Sequence, residues 1–195
     1  MSIPVEATVR PILDKIREPI VQAILGAWED WLASGYNGVW TKRGRANFVW
    51  EQFVNRARTA LQDHDAVRVI NGQETVRFLV QDTVLFRFKK ADTAGRSSNI
   101  PTQMELAFHD HEQDLLGLPG EQRVEVVYKL NQLETQIDDI CVVARNGNRI
   151  AWGYSLMEAG AAVVPLPMQA PNPERPAAAI VKPKVAQDDR KKPQA

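Results

Sequence analysis

The sequence predicts an α+β fold: two N-terminal helices within residues 10–62, then a mostly antiparallel sheet of about six strands within 66–157, in a β-β-β-α-β-β-β order. Two observations carry this expectation. Apolar residues recur every three or four positions up to about residue 62 and alternate with a period of two from residue 66. Asn71-Gly72 and Asn146-Gly147 stand between alternating segments, which is a hairpin signal.

The first helix rests on Ile12, Ile16, Ile20, Ile24, Trp28 and Trp31, which share one stripe. Pro11 suits a first turn, and Pro19 is expected to kink or divide the helix. Ser34, Gly35, Asn37 and Gly38 end it. A second helix over about 45–62 places Phe48, Phe53, Ala57, Ala60 and Leu61 on one side, preceded by an exposed basic stretch, TKRGR. The gap of about ten residues between the helices is too long for a helix-turn-helix motif. Most of the tryptophans fall on apolar stripes and read as core.

Three strands follow. Val67 and Val69 alternate with Arg68; Val76, Phe78 and Val80 with Arg77 and Leu79; Val84, Phe86 and Phe88 with Leu85, Arg87 and Lys89. Gln81-Asp82 turns the second strand into the third. Thr102 is placed to cap a short helix reaching about residue 114, with Glu105 completing a capping box. Strands over 123–130, 137–144 and 149–156 complete the domain, taken as residues 1–160 with helices on one side of the sheet. Residues 161–195 are rich in proline and lysine and are expected to be disordered.

A formal net charge of zero conceals segregation. Residues 42–96 carry 11 Lys+Arg against 6 Asp+Glu, whereas 97–160 carry 4 against 10, so charge is a statement about partners here. Alternation puts Arg68, Arg77, Arg87 and Lys89 on one sheet face, away from the valines and phenylalanines. This is a candidate nucleic-acid or phosphate surface, with Lys42, Arg43 and Arg45 nearby if the fold brings them close. The competing reading is an ordinary solvated face paired with carboxylates from the acidic half. A second candidate is the loop GRSSN, where Lys90, Arg96, Ser97 and Ser98 would hold a phosphate; ordinary helix capping is the alternative.

Chemistry is harder to place. Neighbouring residues on a helix point about 100° apart, so His109 and His111 do not converge, no HExxH pattern is present, and all three histidines read as surface or rim residues, so no metal site is assigned. An acid-any-lysine nuclease triplet fails because Arg87 and Phe88 stand where the acid is needed. Asp138 and Asp139 face opposite sides of a strand. Cys141, the only cysteine, reads as an inert buried thiol. No Walker, Rossmann, CxxC or G-x-S-x-G pattern occurs, and no cofactor is implied. No apolar run approaches the roughly 20 residues of a membrane helix, and a reducing, cytoplasmic setting is expected.

The segments LFRFKKADTAGRSSNIPTQ and RVEVVYKLNQLETQIDDICVVARNGNRIAWGYSL resemble a family of uncharacterised bacterial proteins, over about residues 40–157. The resemblance implies a gene neighbourhood containing helix-turn-helix proteins with an ImmA/IrrE-type metallopeptidase domain. It therefore implies a toxin–antitoxin, prophage or phage-defence module, a context rather than a chemistry, and supplies no catalytic residues to carry over. The resulting expectation is a non-enzymatic binding or regulatory component acting through a protein partner. The alternatives are nucleic-acid binding through the basic face and, third, a toxin acting enzymatically on nucleic acid.

Overall fold

The computed structural model describes residues 3–157, apart from 37, 73–74, 93, 98–102, 113–114, 119 and 148. Residues Met1–Ala159 form one compact unit; the tail expected to be disordered, 161–195, lies outside the described residues. The α+β class, the N-terminal helices and the six strands are as the sequence predicts.

The helical part is α1 (Glu6–Leu13), a 3-10 turn (Asp14–Ile16), α2 (Arg17–Ala33) and α3 (Lys42–Leu61). The first division does not fall at Pro19. Pro11 lies inside α1, where a ring clashes with the carbonyl four residues back, and the chain tightens into the 3-10 turn just beyond it. Pro19 sits in the first turn of α2, where its missing N–H costs nothing. α3 begins earlier than expected. Thr41 caps it by accepting from Gly44 N at 3.2 Å, so the basic TKRGR stretch forms its first turn. Asp30 of α2 and Arg56 of α3 pair through two hydrogen bonds of 2.7 and 2.8 Å.

The sheet contains β1 (Val67–Asn71), β2 (Val76–Val80), β3 (Val84–Lys90), β4 (Gln122–Leu130), β5 (Ile137–Asn146) and β6 (Arg149–Ser155), in that spatial order. Neighbours are antiparallel except β3 and β4, which run parallel. Gln81 and Asp82 turn β2 into β3 with φ of 50° and 48°, a mirror-image turn that matches strand twist. In the β1–β2 hairpin Asn71 still pairs with Val76 and Gly72 N donates to Thr75 O at 2.8 Å, so Asn71-Gly72 is not the central pair of the turn. At the β5–β6 hairpin Asn146 already pairs with Arg149, so Gly147, at φ 55°, begins the turn.

Alternation sorts the two faces as expected. Phe78 opposes Phe86 and Arg77 opposes Arg87 across β2 and β3. Val67, Phe78, Phe86, Phe88, Val124, Val126, Ile140 and Val142 form one core with Ile20, Ile24, Phe53 and Leu61 of α2 and α3. The expectation of helices on one side only does not hold. A parallel β3–β4 pair requires a crossover connection, and it carries α4 (Gln103–His109) over the opposite face. There Phe108 packs on Leu79 and Leu85. α4 also ends at His109, short of residue 114; its expected cap, Thr102, lies outside the described residues.

Candidate functional site

The sheet face expected to be basic and solvated holds a buried network of ions. Arg87 is 3% exposed. Its guanidinium donates to Glu125 Oε1 at 2.7 and 3.1 Å and lies 2.6 Å from Glu105 Oε2, over the ring of Phe108. Glu125, 0% exposed, accepts from Ser97 Oγ at 2.8 Å through its other oxygen. Arg145 on β5 donates to Ser97 Oγ at 2.6 Å and lies 3.5 Å from Glu125. Burial pushes the Glu125 carboxyl up, but the hydrogen bonds and charges of His109 and Arg87 outweigh it and hold it at about 2.

The same face anchors the crossover segment. Arg123 on β4 donates to Ala107 O at 2.9 Å and to Asp110 O, and Glu121 accepts from Leu115 N at 2.7 Å. His111 Nε2 meets Arg145 O at 2.7 Å. His109 and His111 are therefore buried, not rim residues; the crossover folds both against the sheet. His64 is exposed.

Among the described residues, one ligand-type group forms: Glu105, His109 and Glu125 bring donor atoms within 4.8 Å of one another. Glu105 and His109 stand four apart on α4 and so share a face. Arg87 lies among them, 2.6 Å from one carboxylate and 2.7 Å from the other. A fixed cation thus holds the position between the carboxylates, and a metal ion there would have to displace it.

The other candidate cations are dispersed. Arg68 is exposed and paired with Asp82. Arg77 is half-buried beside Arg87; burial and that neighbouring charge both disfavour its ionised form. Lys89 is half-buried and shifted down by burial and then by Arg87. Lys90 projects from the other face and lies 3.3 Å from Glu134. Arg96 is exposed and pairs with Asp92 at 3.1 Å, and Asp92 also accepts from Ala94 N and Arg96 N. Ser97 is buried on Glu125, and Ser98 lies outside the described residues. The two expected phosphate sites therefore do not assemble as open clusters among the described residues: carboxylates take up Arg68, Arg87, Lys90 and Arg96.

Beside this network, a cleft of about 550 Å³ is lined in part by Lys129, Asp139, Cys141 and Ser155. Asp139 meets Lys129 Nζ at 2.9 Å, Cys141 Sγ at 2.8 Å and Ser155 Oγ at 2.7 Å. Burial, then Asp139, pushes the Cys141 thiol up to about 12, the opposite of what a nucleophile needs.

The feature that sequence reasoning missed lies where α2 meets α3. Tyr36 and Trp40 stack at 4.5 Å with planes 12° apart, both edge-to-face with Phe48, and Trp31 lies tilted by 51° to Trp40. Both stay exposed, as do Leu32 and Val39, and Leu133 in the β4–β5 turn. Arg45 joins that turn to α3, donating to Glu134 O at 3.3 Å and to Glu134 Oε2 at 2.6 Å. Lys42 at 3.0 Å and Lys90 at 3.3 Å share the same carboxylate. These hydrogen bonds, from Arg45 first and then Lys42, hold Glu134 at about 2. The available signal was YNGVW, aromatic and aliphatic residues amid turn chemistry, directly before TKRGR.

The fold and these sites define an α+β protein with a charge-locked sheet face and an exposed aromatic corner. Compared with protein-family models, curated proteins and solved structures, the chain matches none. No described helix is long and apolar enough to cross a membrane.

Proposed function

We propose that this protein is a non-enzymatic binding or regulatory component that acts through a protein partner, within a bacterial toxin–antitoxin, prophage or phage-defence type module. The observation that carries the protein-binding part is the exposure of the stacked Tyr36 and Trp40, of Val39 beside Trp40 in sequence, and of Leu133 in the turn that Glu134 ties to α3. Tyrosine, tryptophan and arginine dominate binding energy at protein interfaces, and exposed aliphatic side chains gain free energy only against other apolar groups. The titratable groups on the sheet face support the non-enzymatic part. Glu105, Glu125 and Asp139 each pair with internal donors, and burial, then Asp139, raises the Cys141 thiol. The module itself rests on the resemblance of residues 40–157. Co-expression with the neighbouring helix-turn-helix/metallopeptidase-type protein, followed by size-exclusion chromatography, tests the proposal: a shared elution peak is expected, and independent elution counts against it.

Nucleic-acid binding through Arg68, Arg77, Arg87, Lys89 and the loop at Arg96 remains a second reading, favoured by the common face of the four strand residues. It requires affinity that falls steeply with salt. Its weakness is Arg87, buried between two carboxylates.

A further inference from the structure

The corner between α2, α3 and the β4–β5 turn combines three properties that together specify a kind of partner. The first is apolar exposure: Val39 is 79% and Leu133 80% exposed, and Leu32, Tyr36 and Trp40 are each near half. The second is rigidity. Trp40 is stacked on Tyr36 and edged by Phe48, and a Cβ on Gly44 would come within 3.1 Å of Trp40 Cε3, so the indole lies close against the first turn of α3. A pre-formed aromatic platform loses little freedom on binding. The third is a surplus of positive charge. Lys42, Arg45 and Lys90 share the single carboxylate of Glu134, and Arg43 is exposed beside them. Glu134 sits at φ 54°, an uncommon conformation for a side-chain-bearing residue, with Arg45 bound to both its carbonyl and its carboxylate. The fold thus already seats one carboxylate among these cations, and Lys42 remains 80% exposed after pairing.

We infer that this corner is the docking surface for an acidic, apolar-faced segment of a partner protein. Carboxylates of that segment meet Lys42 and Arg43, while its apolar side chains cover Val39, Leu133 and the Tyr36–Trp40 stack. The assignment rests on the protein-partner reading and names the partner's chemistry. Charge complementarity selects an acidic occupant. Val39, Leu133 and Leu32 favour a protein over a nucleic acid, because bases stack on ring faces and gain little from aliphatic groups.

The test uses the full chain and two synthetic amphipathic peptides with the same leucine–phenylalanine face, one with a glutamate and one with a lysine polar face. Fluorescence anisotropy at low salt is expected to show about ten-fold tighter binding of the glutamate peptide. Lys42→Glu/Arg43→Glu should reverse that preference, and Val39→Asp should weaken the glutamate peptide. All three positions are exposed, and far-ultraviolet circular dichroism checks that the variants fold. Equal binding of the two peptides, or indifference to Lys42→Glu/Arg43→Glu, overturns the assignment. So does tighter binding of an oligo-dT strand with the same sensitivity to these variants, or concentration-dependent self-association abolished by Val39→Asp. If the neighbouring protein co-elutes equally with wild type and Lys42→Glu/Arg43→Glu, the surface is wrong and the protein-partner reading stands. If neither peptide binds and nothing co-elutes, both fall.

Discussion

Replacing Arg87 with methionine tests whether the charged sheet face is structural. The substitution keeps an unbranched apolar stem and removes the guanidinium from Glu105 at 2.6 Å and from Glu125 at 2.7 and 3.1 Å. Glu125 has no exposed surface, so water cannot replace the lost donor. Breaking a buried ion pair from one side costs about 3–5 kcal/mol. Ser97 at 2.8 Å and Arg145 at 3.5 Å still reach Glu125, which places the expected loss near the lower end, about 3 kcal/mol. For a domain of this size that lowers Tm by about 10 °C. The acid limb gives an independent figure. Glu125 is held at about 2 against an ordinary 4.5. Its folded form therefore binds a proton more weakly than the unfolded chain does. Its contribution is complete above the ordinary carboxylate range and is lost as pH falls from 4.5 towards 2, about 3 kcal/mol in all. The two figures describe overlapping interactions and do not add. Urea titrations followed by tryptophan fluorescence, at neutral pH and at pH values down through that window, measure both. Arg87→Met should also flatten the acid limb, and combining it with Glu125→Leu should cost less than the sum of the single changes by about 1 kcal/mol or more. A single-variant loss below about 1 kcal/mol, or strict additivity, would refute a structural network.

Four other outcomes follow from the same geometry. Cys141, with its thiol pushed up to about 12, should react with a thiol reagent at mildly alkaline pH about 10³-fold more slowly in the folded protein than in urea; fast native labelling would contradict its burial. Asp139→Asn removes the neighbouring negative charge and should speed that reaction. Glu134→Gln should cost about 1 kcal/mol, because glutamine keeps an acceptor for Arg45 and Lys42 is 80% exposed, and the loss should shrink in high salt, as thermal melts at two ionic strengths would show. Gly44→Ala adds a methyl 3.1 Å from Trp40 Cε3 and should shift Trp40 emission; an unchanged spectrum would mean that the indole does not lie on α3.

The faces of the sheet were legible because alternation is local. Arg77 and Arg87 separate from Phe78 and Phe86 in sequence, and the register sets each pair side by side. What covers a face is not local. Arg123 and Glu125 alternate with valines in RVEVVYKL, and that pattern is the same for a solvated ladder and for a buried ionic one. Only the parallel β3–β4 pairing decides between them, by sending α4 across Arg87. The Glu105–His109 spacing of four residues was visible and is the pair that converges, whereas HDHE drew attention to neighbours that do not. In the helical part, the break after α1 follows Pro11, since a proline's effect depends on its position within the turn, which periodicity alone does not fix.

The corner also sets a limit on how it can be used. Burying an aliphatic side chain fully contributes about 1.5–3 kcal/mol, whereas association of two proteins costs about 4–15 kcal/mol before any net affinity appears. Covering Val39 and Leu133 alone therefore leaves no stable complex. The occupant must also cover Trp40 and Tyr36, whose stacked rings present a larger area already fixed in place. It must reach Lys42 without dislodging Glu134, because that carboxylate holds the β4–β5 turn, and with it Leu133, against α3. A partner that competed with Glu134 for Arg45 would release the turn and lose the apolar ledge it needs. The cations available to a partner are thus the outer ones, Lys42 and Arg43, which is why reversing those two charges, rather than Arg45, separates recognition from folding.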